Sequence, residues 1–192
     1  MPALAYVSLR RATLLAHYPP YLPGVATSRK PPRIQPSVVF MRLDIVLRPA
    51  RPEDGPEIGE IFLAASEQTL PFLPKVHTDD QVRRWIRDVI LPTTTVWVAE
   101  TDCEVAGFFS LNGEKLEHMY VHPDHQNVKV GSTLLDQARV LSPERLQLYT
   151  FARNQGARRF YERHGFRAVA FGQDNEENEP DILYEWTASA TD

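Results

Sequence analysis

The sequence has a single cysteine, Cys103, in 192 residues. A lone thiol excludes an internal disulfide, and no group of His and Cys stands at metal-ligand spacing, so no metal site is expected. A reducing, cytoplasmic setting fits such cysteine usage. The plainest place for Cys103 is a turn, as a small half-buried hydrophobe. No apolar run approaches the ~18 residues that a membrane span needs. No Ser or Cys has the neighbours of an activated nucleophile, and no internal repeat is present.

Acid is missing from residues 1–43, which carry Arg10, Arg11, Arg29, Lys30, Arg33 and Arg42. The chain has 21 basic and 25 acidic residues in all, so residues 44–192 carry a net charge of −10. An acidic body argues against nucleic acid as its partner. It suits a cationic amine through weak long-range steering. Residues 18–36 hold Pro19, Pro20, Pro23, Pro31, Pro32 and Pro36, which disfavours helix interior and central strand. Residues 1–43 thus read as a basic, proline-rich extension: a targeting peptide, a docking arm or a dispensable segment upstream of a start at Met41. Residues 44–192 read as one domain.

Within that domain, residues 44–49 alternate as a strand, and Arg51-Pro52-Glu53-Asp54 opens a helix with acids in its first turn. Ile58, Ile61, Phe62 and Ala65 fall on one helical face. Residues 69–77 form an irregular apolar loop. Thr78 is a candidate N-cap for a helix burying Val82, Trp85, Ile86 and Val89. Strands over 94–100 and 104–111 follow, and Asn112-Gly113 makes a tight hairpin into the next strand. After one more helix, residues 145–151 alternate as a strand, 154–164 are helical with Ala157, Phe160, Tyr161 and His164 on one face, and Gly165 is a stop. Strands over 166–171 and 181–186 close the chain. The order is β-α-α-β-β-β-α-β-α-β-β, an α/β fold with helices on both faces of a mixed central sheet.

The stretch around which the chain is organised is 116–135, LEHMYVHPDHQNVKVGSTLL. A short apolar strand ends before Pro123. A polar loop follows, and from Gly131 the spacing turns helical, with Leu134, Leu135, Ala138 and Leu141 on one side. Strand, tight loop and helix start gather free N–H groups at a positive helix end, a candidate phosphate or pyrophosphate cradle.

VHPDHQNVKVGSTLL resembles the acetyl-CoA-binding segment of the GNAT superfamily of N-acetyltransferases, roughly V-x-P-x-x-Q/R-G-x-G-x-G/A before a helix. Val121, Pro123, Gln126, Gly131, Leu134 and Leu135 match. Asn127 and Lys129 stand where the family has glycine, and Val128 where a basic residue is frequent. Glycine permits positive φ and close approach of backbone to ligand. Asparagine tolerates that region best among other residues. The Lys129 stem occupies space that a pyrophosphate would approach, while its ammonium can pair with phosphate as a point charge. NQGARRFYERHGFRAV is similar to the family's N-x-x-A-x-x-F-Y-x-x-x-G-F segment at Asn154, Ala157, Phe160, Tyr161, Gly165 and Phe166. The resemblance spans 44–187 and implies the GNAT fold.

The resemblance also implies a site. Acetyl-CoA would be held by the amides of Met119 and Val121, by Gln126, Asn127, Val128, Lys129, Val130, Gly131 and Ser132, and by Asn154, with no metal. Tyr161 would protonate the departing thiolate, since a phenol is mostly protonated at neutral pH; ordinary packing is its bland reading. Asn154 also reads as a helix N-cap. Glu117, alternating with Met119 and Val121, is the candidate general base, with His118 and a water chain as rivals and a solvent-facing carboxylate as the bland reading. His77 and the acids Asp174, Glu176, Glu177 and Glu179 are candidates for the acceptor side. The implied function is transfer of acetyl from acetyl-CoA to a primary amine by direct attack. A catalytically silent module of the same fold is the alternative, and a nucleic-acid module resting on the basic arm comes third. Partners are acetyl-CoA and an amine, with no nucleic acid and no membrane; a homodimer stays open.

Overall fold

The computed structural model describes residues 44–188. The expected extension over residues 1–43 therefore lies outside the described residues. Strand β1 (Val46–Pro49) leads through a 3-10 turn (Pro52–Asp54) into α1 (Gly55–Thr69). Ile58, Ile61 and Ala65 of α1 are buried, as their spacing predicts. Arg48 ties this corner together, donating to Asp54 at 2.7 and 2.8 Å and to Glu100 at 2.6 and 2.9 Å.

Helix α2 (Asp79–Trp85) starts at Thr78 with a capping box: Thr78 accepts from the Gln81 amide at 3.2 Å, and Gln81 accepts from the Thr78 amide at 2.8 Å. It runs through a π-turn (Ile86–Ile90) into the short α3 (Leu91–Thr93). The wider π-turn changes the helical phase. Ile86 and Ile90 are buried, while Val89 is 43% exposed, which corrects the expectation that Val89 faces the core.

Strands β2 (Thr95–Thr101), β3 (Glu104–Asn112) and β4 (Lys115–Val121) form a meander. The β2–β3 turn has Asp102 and Cys103 at φ 52° and 68°, with Cys103 exposed rather than half-buried as expected. The sheet then gains β5 (Arg145–Phe151), β6 (Arg167–Gly172) and β7 (Asp181–Thr187), in the order β1-β2-β3-β4-β5-β7-β6. Only β4 and β5 run parallel, and they pair at a single register position, Lys115 with Gln147.

Helix α4 (Val130–Leu141) joins β4 to β5, and α5 (Gln155–Arg163) joins β5 to β6. Their α1-side counterparts cover the other face. Tyr120 and His118 of β4 lie under Phe62 and Trp85, with ring centroids 4.7 and 5.0 Å apart. Gly107 of β3, the register partner of Val121, meets α4 instead. Leu134, Leu135 and Ala138 of α4 are buried, but Leu141, the last residue of the helix, is 38% exposed; the expectation for Leu141 is corrected. The architecture is otherwise the expected mixed sheet between helices.

Candidate active site

The loop between β4 and α4 has the shape that glycine would supply, built without it. Asn127 and Lys129 sit at φ 67° and 74°. Lys129 is the N-cap of α4, with its carbonyl accepting from the Thr133 amide at 3.0 Å. A non-glycine residue in this region costs on the order of 1–2 kcal/mol, and persists where its surroundings demand it. One demand is visible at Gly107, where a Cβ would come within 2.8 Å of the Tyr120 carbonyl and 3.2 Å of Val130 and Leu134. The start of α4 is pressed onto β3, and Val130 and Gly131 are buried there.

The consequence is a run of free donors. None of the backbone N–H groups of Val128, Lys129, Val130, Gly131 and Ser132 has an acceptor among the described residues. They lie at a helix N-terminus, where the peptide dipoles favour an anion. The Lys129 side chain is exposed, so the loop keeps its shape without burying the ammonium.

Gln126 was expected at this cradle, but its side chain is spent internally. It is buried and donates to the Val121 carbonyl at 3.3 Å and to Gln68 at 3.2 Å, pinning the loop to β4 and α1. The Ser132 hydroxyl is also engaged. Nδ1 of His164 lies 2.7 Å from the Phe160 carbonyl, which makes it the donor; Nε2 is then the acceptor for Ser132 at 3.1 Å. Asn154 caps α5, accepting from the Ala157 amide at 3.0 Å, and its Nδ2 has no partner among the described residues.

Strand β4 supplies two more donors. His122 N–H donates to Ala106 of β3 at 2.8 Å. By the two-residue alternation of a ladder, Tyr120 N–H also faces β3, and those of Met119 and Val121 face away, toward β5. Because β4 and β5 pair only at Lys115–Gln147, these two amides have no ladder partner.

Tyr161 of α5 is fully buried, and its hydroxyl has no hydrogen-bond partner. Burial pushes its proton affinity well up, and the nearby Tyr120 phenol adds to this. Tyr161 is therefore protonated at neutral pH. Orphaned amides and an orphaned phenol are the donor set that a phosphorylated thioester would satisfy, so the residues present fit acetyl-CoA.

A cavity of about 650 Å³ lies between α1, α2 and the loops over 70–78 and 173–180, where the acceptor side is expected. Phe62, Leu70, Val82 and Trp85 wall it, Ser66 and His118 line its inner part, and Glu67, Asp79, Glu176 and Glu177 stand around it. His77 lines it as well, its Nε2 2.8 Å from Glu176. Glu179 pairs instead with Arg153 at 3.2 Å. His122 and His125 are loop residues, the first bonded to the Asp124 amide at 3.3 Å and the second to Thr101 at 3.2 Å.

Glu117 does not line this cavity. A β-bulge in the β3–β4 ladder makes it the extra residue between Leu116 and His118, so simple alternation does not set its face. Its carboxylate meets Asn112 at 3.4 Å and Lys115 at 3.9 Å, near the hairpin. The expected base is thus held near the hairpin, outside the lining of the cavity. His118, its rival, is on the cavity, bonded to Ser110 at 2.8 Å and pushed down to about 3 by burial, so it is uncharged. Ser66, Gly107 and Tyr120 were not singled out from the sequence. An interior strand glycine at 107 was the one available signal.

Comparison with known proteins gives the family. Residues 92–168 match the model of the acetyltransferase (GNAT) domain. The peptidyl-lysine N-acetyltransferase YjaB of Escherichia coli is 31% identical over 130 residues, 65% of this chain and 84% of that protein. This chain belongs to the GNAT acetyltransferases. The peptidyl-lysine N-acetyltransferase YiaC of Escherichia coli is 28% identical over 147 residues, 76% of this chain and 99% of that protein. Among solved structures, apo YjaB from Escherichia coli superposes with a TM-score of 0.64 at 25% identity, covering 74% of this chain and 97% of that one. The PaiA N-acetyltransferase of Thermoplasma acidophilum, solved with coenzyme A, shares the fold at a TM-score of 0.60 and 19% identity, over 76% and 100% of the two chains. This GNAT acetyltransferase is an acyltransferase, and among its described residues no helix is long and apolar enough to cross a membrane.

Proposed function

We propose that this GNAT acetyltransferase transfers the acetyl group of acetyl-CoA to a primary amine carried on an aliphatic stem, as in a lysine side chain. The observation that carries the reading is the row of acceptor-less amides from Val128 to Ser132, opening beside the unpaired edge of β4. Acetyl-CoA bound there supplies an activated acetyl thioester. The amides of 128–132 would hold its pyrophosphate, and Asn154 Nδ2 is free to bond to the cofactor chain. The N–H groups of Met119 and Val121 would polarise the thioester carbonyl.

The acceptor cavity supports a cationic amine with an apolar stem: aromatic and aliphatic walls for the stem, and Glu67 and Glu177 for the charge, while Asp79 pairs with Lys75 at 3.6 Å and Glu176 with His77 at 2.8 Å. The ammonium, with a pKa of about 10.4, must lose a proton before attack. Glu117 is engaged near the hairpin and does not line the cavity, so we assign that proton to solvent at the mouth, beside Glu176 and Glu177. Nitrogen would then bond to the acetyl carbon as the C–S bond breaks, Tyr161 would give its proton to the departing sulfur, and the second proton of nitrogen would pass to solvent, from which Tyr161 is reprotonated.

Calorimetric titration with acetyl-CoA, followed by mass spectrometry of lysine peptides incubated with it, tests the reading. Micromolar binding and a gain of one acetyl per lysine are expected. No binding at millimolar acetyl-CoA would remove it, and the silent-module alternative would take its place.

A further inference from the structure

The stem of a lysine does not fill the acceptor cavity. Its methylenes and ammonium, at about 30 Å³ for each water-sized group, occupy roughly 150 Å³. The cavity offers about 650 Å³, and the space left over is walled mainly by carbon. Phe62 and Trp85 flank its inner end, with ring centroids 6.2 and 5.0 Å from that of His118. Leu70, Leu73 and Pro74 continue the wall outward along the loop over 70–78, as far as Val76, which is 44% exposed. A contiguous apolar surface with a polar rim marks a binding site.

The wall is held in place. Phe72 does not line the cavity; it anchors the loop elsewhere, with its ring 6.3 Å from that of Phe151 and 4.4 Å from the Arg153 guanidinium. The Leu73 amide donates to the Leu70 carbonyl at 3.0 Å, closing a turn in which Pro71 has its φ fixed. Further along the loop, His77 meets Glu176 at 2.8 Å. Leu70 and Leu73 are thus presented to the cavity by a loop tied down on both sides of them. A preformed apolar wall costs little to order when a ligand arrives.

Charge supplies the other half of the match. Glu67 and Glu177 stand at the same cavity, with no ion pair among the described residues, and so favour a cation. The ligand that satisfies the whole cavity is an ammonium joined to a bulky apolar group.

We propose that the acceptor is an amine whose stem carries an apolar body of ring size or larger, seated on Trp85, Leu70 and Leu73. The inference rests on the amine-acceptor reading above and adds what that amine is attached to. A free alkylamine ending in a ring has such a body, and so does a lysine beside an aromatic residue.

The test compares amines that differ only in this body, using the full chain and acetyl-CoA. One arm sets n-butylamine against 4-phenylbutylamine. The other sets lysine, acetylated on its α-amine and amidated at its carboxyl, against the same capped lysine followed by phenylalanine. The added ring is expected to raise kcat/KM by roughly 10- to 100-fold in at least one arm, the scale of burying one aromatic side chain. The arm that responds identifies the source, free amine or peptide. As a readout apart from turnover, calorimetry on the CoA-loaded protein should show the ring-bearing amine binding more tightly by a similar factor. Trp85→Ala should cut the gain to below about threefold, since the ring loses its main wall. Leu73→Ala should lower the gain as well and covers the case in which Trp85→Ala does not fold. A ring that brings no gain in either arm, or a gain that survives in every folded variant, would overturn the proposal and leave the acetyltransferase reading standing. Failure to acetylate any of these amines would remove the amine-acceptor reading, and this inference with it.

Discussion

Lys115 of β4 and Gln147 of β5 are the one register pair between those parallel strands, and past them the ladder stops. The stop is what frees the N–H groups of Met119 and Val121, four and six residues further along β4. Backbone donors without partners are rare in buried strands, so the gap is the feature from which the site is built.

Tyr161 stands in the layer of α4 and α5 with its hydroxyl orphaned. Tyr161→Phe is expected to lower kcat by roughly 10- to 1000-fold, the contribution of one proton-transfer group. CoA affinity by calorimetry should be nearly unchanged. Unaltered turnover would take Tyr161 out of the mechanism.

Lys129 occupies a left-handed N-cap that suits glycine. Lys129→Gly relieves strain of about 1–2 kcal/mol and adds about 0.5–1 kcal/mol of unfolded-chain entropy. A small net rise in melting temperature, roughly 1–4 °C, is expected for a domain of this size. Because the amides already point at the cradle, CoA affinity should hold. A tenfold loss would instead identify the ammonium as a phosphate contact.

Asp54 is held below the usual carboxylate range by its hydrogen bonds from the Arg48 guanidinium. A depressed acid stabilises the fold above its unfolded pKa of about 3.9, and that stability is lost as pH falls through the lower folded value. Asp54→Asn should cost about 2 kcal/mol near neutrality, roughly 4–8 °C in melting temperature. The deficit should shrink below pH 4. A constant deficit down to pH 2 would assign the effect to shape rather than charge.

His118 is uncharged in the fold, its pKa pushed down to about 3 by burial, and would titrate near 6.5 when unfolded. Stability from this group is complete above pH 6.5 and falls between 6.5 and 3, by up to about 1.4 kcal/mol per pH unit. In His118→Gln that limb of the stability–pH curve should flatten, as urea unfolding at pH 4, 5 and 6 would reveal. An equally steep curve in the variant would place the titration elsewhere.

Much of the fold was legible because its causes are local. The Thr78 capping box, the Asn154 cap and the Gly165 stop each act within a few residues of sequence. The alternation of 145–151 needs only a two-sided strand. Where a cause was not local, the reading slipped. Val89 and Leu141 fit a 3.6-residue face, but Val89 falls within a π-turn and Leu141 is the last residue of its helix, and both are exposed. Asn127 and Lys129 stand where the resemblance has glycine, and only the structure showed that both adopt the left-handed backbone glycine would supply.

The sequence by itself determined the order of elements, the loop-to-helix cradle and the helix that carries Tyr161, since periodicity, caps and turn residues encode these directly. Only the tertiary structure decided which face of β4 meets α1 and which meets α4, because that depends on which helices cover the sheet. It put His118 and Tyr120 under Phe62 and Trp85, and it left Glu117 in a bulge near the hairpin. It also set Ser66 of α1 beside Tyr120, 54 positions away in the chain. A contact of that range is fixed by the packing of helix on sheet, and no local pattern records it.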